Sequence, residues 1–486
     1  MKLTIDRLAL WILFVLLFAM AVRVPLDTDV WWHLRSAEWM VDNGKILDKD
    51  IFSHTQTGEA WINHSWGGEL LLYGVYRLTG GSTDPAGTGT IGLALLTGAL
   101  ATLGMAGIYR MCAGNVYSRM FVMVIGASTA AVFWTPRPQM FSFVLGIATL
   151  YLLYLYKYQQ RDRLWLIPPL MVLWVNLHAG FAIGFIILFG FIAGEVISRL
   201  LSPDEALTWA QLRKVSVVTG VGILALSLNP FGPQMMLYPF RTAGLQTLNL
   251  FIVEWKSPDF KIPATWPFIF LLGAIVVLGS RAPKLAWSDL VLTAGTAALA
   301  LWSARNIAVF AIVATPVLSR QLDSWLTAQG WQIEPSRSLT PIQARLNLAL
   351  AMMVLVAAGV KIGAELAPAA VEKAHQEFLP VELAAYLNET HPQGPMFNEY
   401  NWGGYLIFRV RDLPVYVDGR TDLYGDDFLR DYIRATLGAK EWQKPLEGIN
   451  LVVVQKQSAL ATLLRQDSTT WELAYEDALA VVFERQ

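Results

Sequence analysis

Apolar and polar positions along this chain fall into long blocks. Runs close to the roughly 20 apolar residues that cross a bilayer can be set at 8–24, 89–111, 118–135, 139–158, 163–177, 180–199, 214–229, 264–280, 286–303, 305–320 and 344–363. After about residue 365 the blocks stop, and charges recur from PVELAAYLNETHPQGP to the end. The pattern predicts a mostly α, polytopic membrane domain of about eleven transmembrane helices over 1–365, followed by an extramembrane α/β domain over 366–486. The second part, about 120 residues, is long enough to support its own core.

Finer periodicity fills in the polar stretches. The long connection 25–88 holds two amphipathic patterns, WWHLRSAEWMVDNG and HSWGGELLLYGVYRLTGG, which read as helices in the interface plane, the first stopped by Gly44. Beyond residue 390, YNWGGYLIF has helical spacing and PVYVDG reads as a strand ending in a turn. INLVVVQK is a near-continuous apolar run, the pattern of a buried parallel strand, and WELAYEDALAVVFER reads as a closing strand pair. Ligand-facing residues belong at the carboxyl ends of such strands, which points to Asp418, Arg420 and Asp422 of DGRTD. An internal salt-bridge cluster explains those three equally well.

Composition supports lipid as solvent. Of 486 residues, 55% are hydrophobic and only 15% charged, against about 25% charged in soluble domains. Mean hydropathy is +0.43. A formal net charge of −1 gives no reason to expect a nucleic-acid partner. The single cysteine, Cys112, excludes an intrachain disulfide and a cysteine-based metal site. Lys2 and Arg7 before the first run, with AMA at 19–21, resemble a signal peptide; we read the run as an uncleaved first span.

Basic residues orient the spans. With the N-terminus inside, Arg110, Arg119, Lys157, Arg161, Arg163, Arg199, Arg213, Lys214, Arg281, Lys284, Arg320, Arg337 and Arg345 fall in cytoplasmic loops. Eleven crossings then put the C-terminal domain outside, which fits a multi-pass protein of a bacterial inner membrane. The conspicuous polar clusters, LDTDVWWHLR, WINHSWGGEL, TPRPQ, NLHAG, LNPFGP, FIVEWKSPDF and WSARN, all fall on that outer side. Polar groups at membrane depth are costly and tend to line sites, so this asymmetry predicts one outward-facing polar cavity bounded by Asp29, Glu254 and Arg305.

The residues in these clusters suit transfer of a group from a phosphate to a hydroxyl acceptor. Such a reaction needs a base near an acceptor hydroxyl and a cation for the leaving phosphate. Asp29, supported by Asp27, is the candidate base, because paired carboxylates raise one pKa; an N-cap is the simpler role for Asp29. Arg305 and Arg137 have the planar fork that binds phosphate, with snorkelling anchors as the alternative. Glu254 would orient or help activate the acceptor. Asn176, His178 and Asn229 could complete the polar wall, though capping or inter-helix hydrogen bonds explain them as readily. A divalent cation, Mg or Mn, is possible at Asp29. Trp31, Trp32, Trp61 and Trp66 read as interface anchors.

DTDVWWHLRSAEWMVDNG resembles the first outer loop of GT-C superfamily glycosyltransferases, multi-span enzymes that take sugars from polyprenyl-phosphate carriers. Asp29, Trp31, Trp32, Arg35 and Gly44 match the arrangement in oligosaccharyltransferase catalytic subunits. In the protein mannosyltransferase and aminoarabinose transferase branch, His64 falls near a His-Pro-Pro motif, without the prolines. IVEWKSPDF is similar to the oligosaccharyltransferase outer-loop glutamate motif, which places Glu254. SARNIAVFAIVATPVL resembles their late-span arginine segment, which places Arg305. FNEYNWGGYLIFRV and LPVYVDGRTDLYG resemble the start of their outer domain, which implies acceptor contacts at Trp402, Tyr405 and the DGRTD segment. Two departures stand out: TPRPQ takes the place of a second acidic motif, and NWGGY replaces Trp-Trp-Asp-Tyr-Gly. They weigh against an asparagine acceptor and against a metal site. The resemblance implies an inverting glycosyltransferase using a polyprenyl-phosphate sugar, in contact with the bilayer. A non-catalytic scaffold or binding subunit is the alternative, followed by a transporter or flippase.

Overall fold

A computed structural model describes residues 3–81, 88–281, 285–331 and 339–486. Lys2, Lys284, Arg337 and part of the predicted first loop lie outside the described residues. Each of the eleven predicted apolar stretches holds an α-helix. Six helices are long and apolar enough to cross a membrane: Gly89–Met111, Val116–Phe133, Gln139–Tyr158, Ala179–Leu201, Ala304–Ala328 and Pro341–Glu365. The protein is a multi-pass membrane protein, mostly helical, with a small C-terminal sheet.

The chain divides into two compact units. The first comprises Met1–Arg23, Ala94–Pro239 and Ile252–Ala364. Its centre is the helix Ile307–Ala328, whose residues Ile307 to Ser319 are all buried. The run IAVFAIVATPVL is apolar on every face, which suits a helix enclosed by others. Small side chains let neighbours come close. A Cβ on Gly126, in the helix Val116–Ala130, would stand 2.2 Å from the Thr315 hydroxyl oxygen.

The second unit comprises Val24–Leu93, Phe240–Phe251 and Glu365–Gln486. It therefore takes in most of the long connection 25–88, which the sequence pattern groups with the spans. Four strands order as β1 (Met396–Asn398), β2 (Leu451–Gln455), β4 (Ala480–Arg485), β3 (Trp471–Glu476). β1 and β2 are parallel, pairing Met396 with Leu451, and β4 runs antiparallel to both β2 and β3. INLVVVQK and the closing pair thus appear as expected, with β2 parallel on one side only.

PVYVDG is not a strand of this sheet. Its one ladder contact is a parallel bridge from Val415 to Ser53 in the 25–88 connection. The reason lies in side chains that take up its backbone. Asn398 Oδ1 accepts from the Tyr416 N–H at 2.7 Å, and Asn398 Nδ2 donates to the Val417 carbonyl at 2.8 Å. The loop supplies the rest: His54 N–H donates to the Val415 carbonyl at 3.0 Å and Val415 N–H to the Phe52 carbonyl at 3.1 Å.

The two expected loop helices form, as Asp29–Asn43 and Trp66–Leu78, and Gly44 ends the first in the left-handed conformation at φ 62°. The first is an interior helix, with Val30 to Leu34 all buried. It packs on the helices Trp66–Leu78 and Gly403–Arg409. Trp31, Trp32 and Trp61 are interior side chains, not interface anchors, because the C-terminal segment covers them.

Candidate functional site

In the second unit the site begins at the start of helix Asp29–Asn43. Asp27, not Asp29, serves the helix end: its Oδ1 accepts the Asp29 backbone N–H at 3.0 Å. The Asp29 side chain lies in the first turn of the helix, half-buried. It lies against Gly419, where an added Cβ would meet Asp29 Oδ1 at 2.0 Å and Trp32 Nε1 at 3.2 Å. NWGGY explains the approach. A Cβ on Gly403 would strike the Val417 carbonyl oxygen at 2.2 Å, and one on Gly404 the Thr28 carbonyl oxygen at 2.7 Å. The glycine pair lets a short helix wedge between DGRTD and the Asp29 turn.

DGRTD itself is a closed network. Asp418 Oδ1 accepts from Arg420 Nε at 2.8 Å, and Oδ2 accepts from Arg420 Nη2 and the Tyr424 hydroxyl, each at 2.7 Å. Arg420 Nη1 reaches Asp50 Oδ1 of the 25–88 connection at 2.7 Å. The Phe52 and Trp61 rings flank the guanidinium, both with centroids 5.1 Å away. Asp50, Asp418 and Arg420 are buried. Asp422 accepts from Trp61 Nε1 at 3.2 Å. Trp402 and Tyr405 are also interior, Tyr405 edge-on to Trp31 at 5.3 Å. Of these five, Asp422 is half-buried and the other four are interior. His64 sits half-buried in the turn before Trp66–Leu78.

A buried polar group that the sequence pattern did not single out lies beside them. Glu69 Oε1 meets His33 Nδ1 at 2.8 Å, and Oε2 accepts from Asn63 Nδ2 at 2.7 Å. Burial pushes the Glu69 carboxyl up to about 8, against smaller opposing effects of Asn63 and Arg420. The signal was spacing: Glu69 falls in the first turn of an amphipathic helix, on its buried face.

In the first unit, Arg137, Glu254 and Arg305 come together. Arg137 Nη2 donates to Glu254 Oε2 at 2.9 Å, with 40% of the Glu254 side-chain surface still exposed. Arg305 stacks on Trp255, its guanidinium carbon 4.1 Å from the ring centroid. Backbone bonds hold the two segments side by side: Ala304 N–H donates to the Lys256 carbonyl at 2.8 Å, and Ser303 Oγ to the Glu254 carbonyl at 3.2 Å. Burial alone would raise the Glu254 carboxyl, but the Arg137 and Arg305 charges outweigh it and hold it below the ordinary carboxylate range. Trp255, which orients Arg305, was visible only as the residue after Glu254.

His178 and Asn176 do structural work in the same unit. His178 Nδ1 accepts the Gly180 N–H at 3.0 Å and lies 2.8 Å from Ser142 Oγ. Asn176 Nδ2 donates to the Val172 and Leu228 carbonyls at 2.8 and 2.9 Å. Among the described residues no group of three or more His, Cys, Asp or Glu side chains could hold a metal ion. Near Asp29 the neighbouring carboxylate of Asp27 accepts the helix-turn N–H through one oxygen.

No protein-family model matches this sequence, and no curated protein matches it. Solved structures do. The oligosaccharyltransferase of Archaeoglobus fulgidus in its apo form is 12% identical, with a TM-score of 0.55, covering 91% of this chain and 69% of that one. The A. fulgidus enzyme AglB, in complex with an inhibitory peptide and a dolichol-phosphate, is 13% identical, with a TM-score of 0.56 and coverage of 92% and 69%. Arabinofuranosyltransferase AftD from Mycobacteria is 13% identical with a TM-score of 0.52; all of this chain aligns, to 40% of that one. The chain thus has the fold of the GT-C glycosyltransferases, as its motifs led us to expect.

Proposed function

We propose that the protein is a membrane glycosyltransferase that moves a sugar from a polyprenyl-phosphate-linked donor to a hydroxyl acceptor on the outer face of the membrane. The observation that carries this reading is the Arg137–Glu254–Arg305 cluster, set in a chain with this fold. Two guanidinium groups gather round one carboxylate, which leaves positive charge for a phosphate. Trp255 holds the Arg305 fork by stacking, so little of its freedom is lost on binding. Glu254 is an anion at neutral pH; its role is to hold Arg137.

In the transfer, the acceptor hydroxyl attacks the anomeric carbon as its proton passes to the Asp29 carboxylate. The bond from that carbon to the phosphate oxygen breaks, configuration inverts, and the polyprenyl phosphate leaves with the electron pair. Arg305 and Arg137 stabilise the charge that grows on the phosphate. The basic residues of alternate loops support an inside N-terminus and an outside C-terminal segment. AglB was solved with a dolichol-phosphate, which supports the lipid class of the donor.

The test is transfer by full-length protein in liposomes from polyprenyl-phosphate sugars of defined head group. Arg305→Ala and Asp29→Asn should each lower turnover on the order of 100-fold, with Arg305→Lys in between. Wild-type protein that binds the carrier yet transfers no sugar from any donor would overturn the catalytic reading in favour of a scaffold.

A further inference from the structure

Gly419 is glycine for reasons of space. Its backbone is outside the left-handed region that favours glycine, so another residue would meet no conformational penalty. What it lacks is room: the position of a Cβ is taken by Asp29 Oδ1 at 2.0 Å, Asp29 Cγ at 3.0 Å and Trp32 Nε1 at 3.2 Å. Its neighbours cannot yield. Asp418 and Arg420 are locked to each other and to Asp50 in a dry interior, and charged hydrogen bonds of this kind are strong and directional. On the opposite side the backbone of the Asp29 turn is fixed by Asp27 and by the close approach of Gly404 to the Thr28 carbonyl, so an added Cβ would be relieved by rotating the Asp29 carboxylate itself.

We propose that Gly419, held by the Asp418–Arg420–Asp50 clamp, is a positioning residue that sets the orientation of the Asp29 carboxylate. The C-terminal DGRTD segment then serves the reaction as the wall behind the base, with no contact of its own to the acceptor. Asp50 ties that wall to the same outer loop that carries Asp29, so base and backing move as one body. This rests on the reading of Asp29 as the proton acceptor.

A double-mutant cycle separates the contact from the chemistry. In full-length protein in detergent, Gly419→Ala should lower the Tm. The same change in an Asp29→Ala background should cost much less, because the carboxylate it strikes is gone. In the transfer assay Gly419→Ala should reduce kcat on the order of 100-fold, the loss expected for a misplacement near 1 Å, and leave the KM for the lipid donor unchanged. It should add no further loss to Asp29→Asn. Additive Tm changes would overturn the positioning role, as would a Gly419→Ala protein with wild-type kcat. Coupled Tm values with no transfer by the wild-type protein would uphold the contact and overturn the reading of Asp29 as a base.

Discussion

Two polar clusters in this protein use the same residue types in inverse proportion. In the second unit one guanidinium, Arg420, serves two carboxylates, Asp50 and Asp418, with Tyr424 and two aromatic rings completing its shell. All three charges are dry. In the first unit Arg137 pairs with Glu254, which keeps 40% of its side-chain surface, and Arg305 acts on the same carboxylate through its charge. A buried network with every oxygen occupied fixes a chain in place, since its desolvation cost is met only by complete pairing. A half-exposed cluster with surplus positive charge has capacity left for an anion. Charge count and wetness, not residue identity, separate a fastener from a cluster with charge to spare.

That contrast is most sharply broken at the two arginines. Arg420→Met leaves Asp50 and Asp418 buried without a cation, at a cost of about 3–5 kcal/mol. Full-length protein should show a large drop in Tm, recovered in part when Asp50→Asn and Asp418→Asn are added. Arg305→Met removes a stacking contact of about 0.5–1 kcal/mol, so its Tm should hold while transfer falls. Equal Tm losses at the two sites would erase the distinction.

Glu69 sharpens the comparison from another direction, because it is a buried carboxylate of the second unit that meets its desolvation with a proton instead of an arginine. His33, Asn63 and, at longer range, Arg420 are the groups that face it. Its folded pKa of about 8 stands above the ordinary 4.5. Between those values the native state holds a proton that the unfolded chain releases, so stability falls as pH rises through that window and levels off above it. Thermal melts from pH 5 to about 9 should show this slope, and Glu69→Gln should flatten it. An unchanged slope in the variant would place the titration elsewhere.

Much of the fold was legible because lipid imposes a coarse code. Apolar runs long enough to span, and the loss of that pattern after residue 365, gave the helices and the α/β segment directly. The motif likeness gave the GT-C fold. What could not be read were pairings across hundreds of residues. Nothing in KDIFSHT marks Asp50 as the partner of Arg420, or Ser53 as the neighbour of Val415. PVYVDG has a strand's alternation, yet Asn398 and the 25–88 connection take up its backbone. DGRTD was equally readable as a ligand edge or a salt-bridge cluster, and only burial separates them. Asp29 against Gly419 is a matter of ångströms, beyond any periodicity.

Asp426 shows a third use of a carboxylate, held mainly by amide and hydroxyl donors, and it carries the smallest effect. Its oxygens accept from the backbone N–H groups of Gln246 and Thr247 at 3.1 and 2.9 Å. These are the first residues of the helix Gln246–Phe251, so Asp426 acts as an N-cap supplied from another part of the second unit. A capping carboxylate satisfies amide donors and favours the positive end of the helix. Its loss costs about 1 kcal/mol, too little to move the global Tm much but enough to free a six-residue helix. Asp426→Ala should therefore leave the melt of full-length protein nearly unchanged and speed limited proteolysis within 240–251. Asp426→Asn, which keeps an acceptor, should cleave at close to the wild-type rate. Equal cleavage of Asp426→Ala and wild type would show that segment to be held by packing alone, and would remove capping from the ways this unit uses its acids.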